Sequence, residues 1–256
     1  MDNKILYDLL EKFDLQNPTF RPTEIYNEGW LLRILLNEYS KLESRDGLLK
    51  FSKGATWYSE AMLPTKFKAR PKKEIGHKDT LAESRTNADG VIGHIEVGNK
   101  GKADLELAKN AKQFVVIEAK MNSKLSKGIS NSKEYNQAAR TVACMAETIR
   151  LNKEVNLRDI ENLAFIVLAP RGKIKDGDFS DEMEIESIKN KVKDRVEEYK
   201  GNKNSKYYTE WYYSCFSPLI DKIKIHKLSW ETAIEKLPDV SKEKLNQFYQ
   251  LCFKYN

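Results

Sequence analysis

Seven consecutive apolar residues, Leu163-Ala164-Phe165-Ile166-Val167-Leu168-Ala169, stop abruptly at Pro170-Arg171-Gly172, and that run constrains the fold more than any other stretch of the 256-residue chain. It is apolar on both faces and too short for a typical helix, so it predicts a buried strand. Upstream lie three strand candidates, Gly90–Val97, Lys102–Ala108 and Gln113–Met121, separated by Gly98-Asn99-Lys100-Gly101 and Lys109-Asn110-Ala111-Lys112. Such short turns predict antiparallel neighbours. Between the third candidate and the buried run, Tyr135, Ala138, Val142, Met145 and Ile149 repeat at helical spacing, with Asn131 and Glu134 as the expected cap and an end near Asn152. A helix between strands predicts an α/β core built on a mixed sheet flanked by helices.

The N-terminal part reads as helical. Ile5, Leu6, Leu9, Leu10 and Phe13 form one stripe, and Trp30, Leu31, Ile34, Leu35 and Leu42 another, which Thr23 is placed to cap. From Pro64 to Asn87 the pattern dissolves into Lys66, Lys68, Arg70, Lys72, Lys73, Lys78 and Arg85, a long basic loop that is either a solvated connector or a nucleic-acid contact. After Arg171 come a charged loop, an amphipathic helix around Ile188 to Tyr199, a strand over Ile220–Leu228 and a short helix capped by Ser229 that carries Trp230, Ala233, Ile234 and Leu237.

Composition excludes several classes. With 40% hydrophobic and 32% charged residues the chain is neither disordered nor fibrous. No stretch approaches the roughly 18 apolar residues of a membrane span. The start, Met1-Asp2-Asn3-Lys4-Ile5-Leu6-Tyr7-Asp8, does not read as a signal peptide, so a cytoplasmic protein is expected. Cys144, Cys215 and Cys252 are scattered, which argues against disulfides, zinc or an iron–sulfur cluster. Gly93 and Gly98 have the spacing of a phosphate-binding loop, but Asn99 stands where Lys is required. His77, His94 and His226 share no ligand spacing, and the aromatic run Tyr207, Tyr208, Trp211, Tyr212, Tyr213 reads chiefly as core. A net charge of +6 is compatible with a polyanionic partner.

The chemistry concentrates at the end of the third strand candidate. Its apolar run, Phe114-Val115-Val116-Ile117, continues into Glu118-Ala119-Lys120, and strand alternation puts Glu118 and Lys120 on one face. Burying charges there is costly unless they are paired or bind a metal. With the hairpin centred on Ala111, Asp104 is expected directly opposite Glu118, and two opposed carboxylates repel unless a cation lies between them. Mg²⁺ suits two carboxylates, the Ala119 carbonyl and a phosphate oxygen, with Lys120 orienting a water and offsetting transition-state charge. The competing reading is a structural Glu118–Lys120 ion pair at a sheet edge.

Asp104 followed by Glu118-Ala119-Lys120, within a helix–strand–strand–strand–helix–strand order from about Tyr26 to Ala169, resembles the PD-(D/E)xK nuclease superfamily, although Ala103 stands where that motif has Pro. The resemblance implies a restriction-endonuclease-like fold, with Asp104 and Glu118 as metal ligands and Lys120 catalytic. It also implies Glu28 as a further metal ligand, although a solvated helix acid is as good a reading, and Gln137 as a site residue. Lys124, Lys127, Lys133 and Arg140 would grip the nucleic-acid backbone. The expectation is therefore one domain over residues 1–256, with a helical part at 1–45, the catalytic core at 88–170 and C-terminal helices with an edge strand at 171–256. Its expected activity is that of a Mg²⁺-dependent nuclease acting on DNA, with Mn²⁺ as a substitute. One site per chain cuts one strand, so double-strand cleavage would require a homodimer or two nicks. The alternative is an inactive nucleic-acid-binding or assembly protein on the same fold.

Overall fold

A computed structural model describes residues 21–42, 47–71, 79–84, 86–99, 101, 103–201 and 205–256. The expected helix over Ile5–Phe13 and residues Lys72, Lys73, His77, Lys78 and Arg85 lie outside the described residues.

The helix α1 (Glu28–Tyr39) is capped by Asn27, whose side chain accepts the Trp30 N–H, whereas Thr23 sits in a separate single turn, Pro22–Glu24. Then come β1 (Thr56–Leu63), β2 (Thr86–Gly93), β3 (Ile95–Val97), β4 (Leu105–Leu107) and β5 (Gln113–Ala119). The helix α2 (Gln137–Leu151) starts later than expected, with Asn136 rather than Asn131 accepting from the backbone (Ala139 N–H), and ends at Leu151 as expected. The doubly apolar run forms β6 (Asn162–Ala169). It is followed by α3 (Arg171–Lys175), α4 (Ile185–Glu197), α5 (Ser205–Trp211) leading through a π turn into α6 (Ser217–Ile220), β7 (Lys224–Ser229), α7 (Trp230–Glu235) and α8 (Asp239–Tyr255). Ser229 caps α7 as expected, its hydroxyl accepting the Thr232 N–H.

The main sheet has the order β1-β2-β5-β6-β7, antiparallel on the β1 and β2 side and parallel from β5 to β7. The expected α/β architecture with a mixed sheet is therefore the one observed. On one face Phe114, Val116, Phe165 and Val167 pack under Val142, Met145 and Ile149 of α2 and the helices α4 to α6. On the other, Val115, Ile117, Ile166 and Leu168 meet α1, α7 and α8. Both faces are dry, which is why β5 and β6 read as continuous apolar runs. Gly90 lets α1 lie close to the sheet, since a Cβ there would come 2.9 Å from Leu32 Cδ2.

The expected three-strand meander breaks at His94. There Gly90–Val97 divides into β2, which enters the main sheet, and β3, which pairs with β4 in a separate hairpin, Ile95 opposite Leu107 and Val97 opposite Leu105. The His94 ring fixes the bend: Nδ1 accepts the N–H groups of Lys112 and Gln113, and Nε2 meets the Lys53 carbonyl. Gly93 is required there, because a Cβ would come 2.4 Å from the Gln113 carbonyl oxygen.

Candidate active site

The break at His94 changes which acid meets Glu118. The antiparallel partner of β5 is β2, in a register that pairs Gly90 with Ile117, so the next residues along, Asp89 and Glu118, come together. Asp104 instead bridges to Met62 on the outer edge of β1, and Met62 pairs with Asn87. That places Asp104 about three strand spacings, roughly 14 Å, from the end of β5. The expected Asp104–Glu118 pair is therefore not formed. The reason is burial: β5 is covered on both faces and takes the longer, buried Val91-Ile92 segment as its neighbour, while three-residue β4, with Glu106 turned outward, closes onto β3.

Glu118 has no exposed surface. Its Oε2 accepts from Gln137 Nε2 at 2.7 Å, and its Oε1 accepts from the Thr141 hydroxyl at 3.3 Å. Both donors project from the first turns of α2, so the helix that crosses β5 also orients its terminal carboxylate. Lys120 Nζ lies 3.5 Å from Glu118 Oε2 and 3.9 Å from Asp89 Oδ2. The Lys120 backbone is fixed on both sides: its N–H donates to Leu168 O at 2.8 Å, and its carbonyl accepts from buried Trp230 Nε1 at 2.9 Å.

Asp89 Oδ2 accepts the Ala119 N–H at 2.8 Å, where the β2–β5 ladder has run out. In a strand the N–H and C=O of one residue leave on the same edge, so the Ala119 carbonyl faces the side from which Asp89 approaches. Burial, then the charge of Asp89, push the Glu118 carboxyl well above the ordinary carboxylate value, with Lys120 pulling in the opposite direction. Asp89 is also near enough to Glu118 to share a hydrogen bond, which needs a proton on one of the two acids.

Two acids that close, sharing a proton that a cation could displace, with one backbone carbonyl on the same side and a single amine beside them, form a donor set that fits a hard divalent cation. Among the described residues no three His, Cys, Asp or Glu side chains gather as a closed cage.

Next to Asp89 the β1–β2 ladder skips one pair, passing from Ser59–Gly90 to Ala61–Ala88, and Glu60 takes a left-handed φ of 57° there. Arg33 from α1 spans the gap, donating from Nε to Ser59 Oγ at 2.9 Å and lying 3.5 Å from Glu60. Sequence reasoning missed Glu60, Arg33 and Thr141. For Asp89 the available signal was an acid two residues before the apolar Val91-Ile92 pair, at the edge of a buried strand.

Other expected site residues divide clearly. Gln137 and Lys120 both meet Glu118 at the end of β5. Glu28 opens α1 on the opposite layer of the sheet, close enough to Cys252 of α8 to help raise its thiol pKa. Arg140 donates to Glu83 Oε2 at 3.1 Å and to Ser84 O at 2.7 Å, so it holds the loop before β2 rather than reaching out for a phosphate. Lys124 pairs with Asp178 at 2.7 Å, while Lys127 and Lys133 are exposed on the loop after β5.

The chain matches no protein-family model, no curated protein and no solved structure. None of the described helices is long and apolar enough to cross a membrane.

Proposed function

We propose that this chain is a divalent-metal-dependent nuclease that hydrolyses phosphodiester bonds, with DNA as the expected substrate. The observation that supports it is the convergence of Asp89, Glu118 and Lys120 at the end of buried strand β5, within 3.9 Å of one another through the amine. Asp89, Glu118 and the Ala119 carbonyl would hold Mg²⁺, and Mn²⁺ offers the same hard-ligand chemistry. A cation bound there supplies Lewis-acid polarisation of a phosphoryl oxygen and makes a nearby water more acidic.

Each side chain then has a definable task. Gln137 and Thr141 fix both oxygens of Glu118, so its lone pairs are aimed before any ligand arrives. Asp89 is tethered through Ala119, so the two acids cannot move apart independently. Lys120 carries its ammonium to the mouth of the pair, where it orients the attacking water and offsets the charge that grows on the phosphoryl oxygens. Trp230 locks the backbone from which that amine extends.

The test is plasmid nicking by the purified chain with Mg²⁺, with EDTA, and by Lys120→Ala. Nicking that needs the metal and falls by about 10² or more in the variant supports the assignment. Equal nicking in all three reactions, or none by the parent chain with Mg²⁺ or Mn²⁺, rejects it.

A further inference from the structure

A second constellation lies away from the β5 end. Between the C-terminal half of α2, the β3–β4 hairpin and the segment that follows β1 runs a groove of about 910 Å³. Its hairpin side is acidic, lined by Glu96, Asp104 and Glu106, with Asn99 donating to Glu96 at 2.9 Å, and Glu154, just past the end of α2, pairs with Lys109 at 3.1 Å. The opposite end is basic. There Lys66, only 6% exposed, sits with its Nζ 3.2 Å from the centre of the Tyr207 ring, and Arg70 lies 4.8 Å from the same ring. Among the described residues the Lys66 amine has no hydrogen bond and no ion pair.

Glu147 is the carboxylate that acts on Lys66, and Arg150 opposes it as a like charge. Glu147 is already committed, since Arg150 holds it through Nε at 2.7 Å and Nη2 at 2.6 Å. A cation taken out of water without a counter-ion is unfavourable, and the ring face of Tyr207 compensates only part of that loss. Burial lowers the Lys66 pKa to about 8, so the amine is still mostly protonated at neutral pH and retains its demand for an anion.

We infer that this groove is a phosphate-binding site, with Lys66 as the recognising cation and the backbone of a nucleic-acid strand as the source of the phosphate. The phosphate chemistry follows from the groove alone; the strand as its source rests on the nuclease reading. The helix α2 connects the two regions, because Gln137 at its start holds Glu118 while Glu147, ten residues on, borders Lys66. Ten helical residues span roughly 15 Å. A strand cleaved at the β5 end therefore has a second foothold a few nucleotides away, one that reads no bases.

The experiment measures binding of a fluorescent single-stranded oligonucleotide to the full chain in EDTA, across a salt series, with inorganic phosphate as a separate competitor. Lys66→Met keeps the volume and removes the charge; Lys66→Arg keeps the charge; Lys120→Ala is the control at the β5 end. Binding weakened about tenfold in Lys66→Met, with a salt slope smaller by about one and recovery in Lys66→Arg, supports the site. Unchanged affinity and slope in Lys66→Met, with parent and variant equally folded by circular dichroism, overturn it. Phosphate binding that depends on Lys66 without any oligonucleotide binding retains the anion site but rejects the strand as its source. Lys66-dependent strand binding with no cleavage under Mg²⁺ retains this site and rejects the nuclease reading.

Discussion

Asp89 and Ala119 are joined by a carboxylate-to-backbone hydrogen bond of 2.8 Å where two strands would otherwise continue their ladder. A side chain takes the place of a strand carbonyl. The acid is thereby fixed beside Glu118 by the same contact that ends the β2–β5 pairing, so the end of the sheet and the candidate site are one feature. Gly90, next in β2, brings α1 down against the sheet, and the ladder break at Glu60 opens the other side.

The first consequence distinguishes two aspartates. Asp89→Asn keeps an oxygen for the Ala119 N–H but loses a charge at the proposed metal position, so cleavage is expected to fall by about 10² to 10³. Asp104→Asn, on the outer edge of β1, should stay within about threefold of the parent chain. Plasmid nicking with Mg²⁺ checks both; the reverse ranking would return the site to the register in which residue 104 faces residue 118.

That reversal shows what local sequence can and cannot say. The α2 stripe, the doubly apolar β6, the Ser229 cap and the Glu118-Ala119-Lys120 end of β5 were legible because each depends on spacing within one segment. The partner of β5 was not, because it depends on which of two competing segments is buried best. The nearer one, β4, lost to β2, whose own continuation bends away at His94. The strand β1 and the helix α8 drew no notice, and β1, with its exposed Glu60 and half-buried aromatics, lacks clean alternation. Lys66 and Arg140 were read as parts of surface clusters, yet both turn inward, which only tertiary packing decides.

A divalent ion should also be visible as stability. At about 100 times its dissociation constant, Mg²⁺ or Mn²⁺ is expected to add about 2.7 kcal/mol to the parent chain. Asp89→Asn should show no metal-dependent rise, and its metal-free form should stay within about 1 kcal/mol of the parent, because the amide oxygen can still accept the Ala119 N–H. Thermal melts with and without the ion give both quantities, and a metal-induced rise that survives in Asp89→Asn would remove that residue from the ligand set.

Arg195 has the opposite role, stability without chemistry. Fully buried on α4, it donates to Glu198 and to the Leu81 carbonyl, and it lies within 5.7 Å of the rings of Phe67, Tyr135 and Tyr199. Arg195→Ala leaves a cavity and an unsatisfied carbonyl, with an expected loss of about 3 to 5 kcal/mol. Urea unfolding should show a lower midpoint at an unchanged slope, and a loss below about 1 kcal/mol would mean that the aromatic cage closes without the guanidinium.

Lys66 makes the trade between stability and binding measurable through pH. Burial lowers its folded-state pKa to about 8, against the ordinary lysine value of 10.5 that holds in the unfolded chain. Below pH 8 both states carry the proton, and the folded state bears the full penalty of a buried ammonium. Between about 8 and 10.5 the unfolded chain binds more protons than the folded one, so this group's contribution to stability rises with pH across that window and is level above it. Lys66→Met has no such group. It is therefore expected to be more stable than the parent at pH 7, with the difference shrinking as pH climbs from 8 toward 10.5. Urea midpoints of the two chains at pH 7 and pH 10 test this, the comparison cancelling the titration of the buried tyrosines and cysteines they share. A variant less stable than the parent at pH 7 would show that the Tyr207 ring already compensates the amine, and the demand for an anion in the groove would disappear with it.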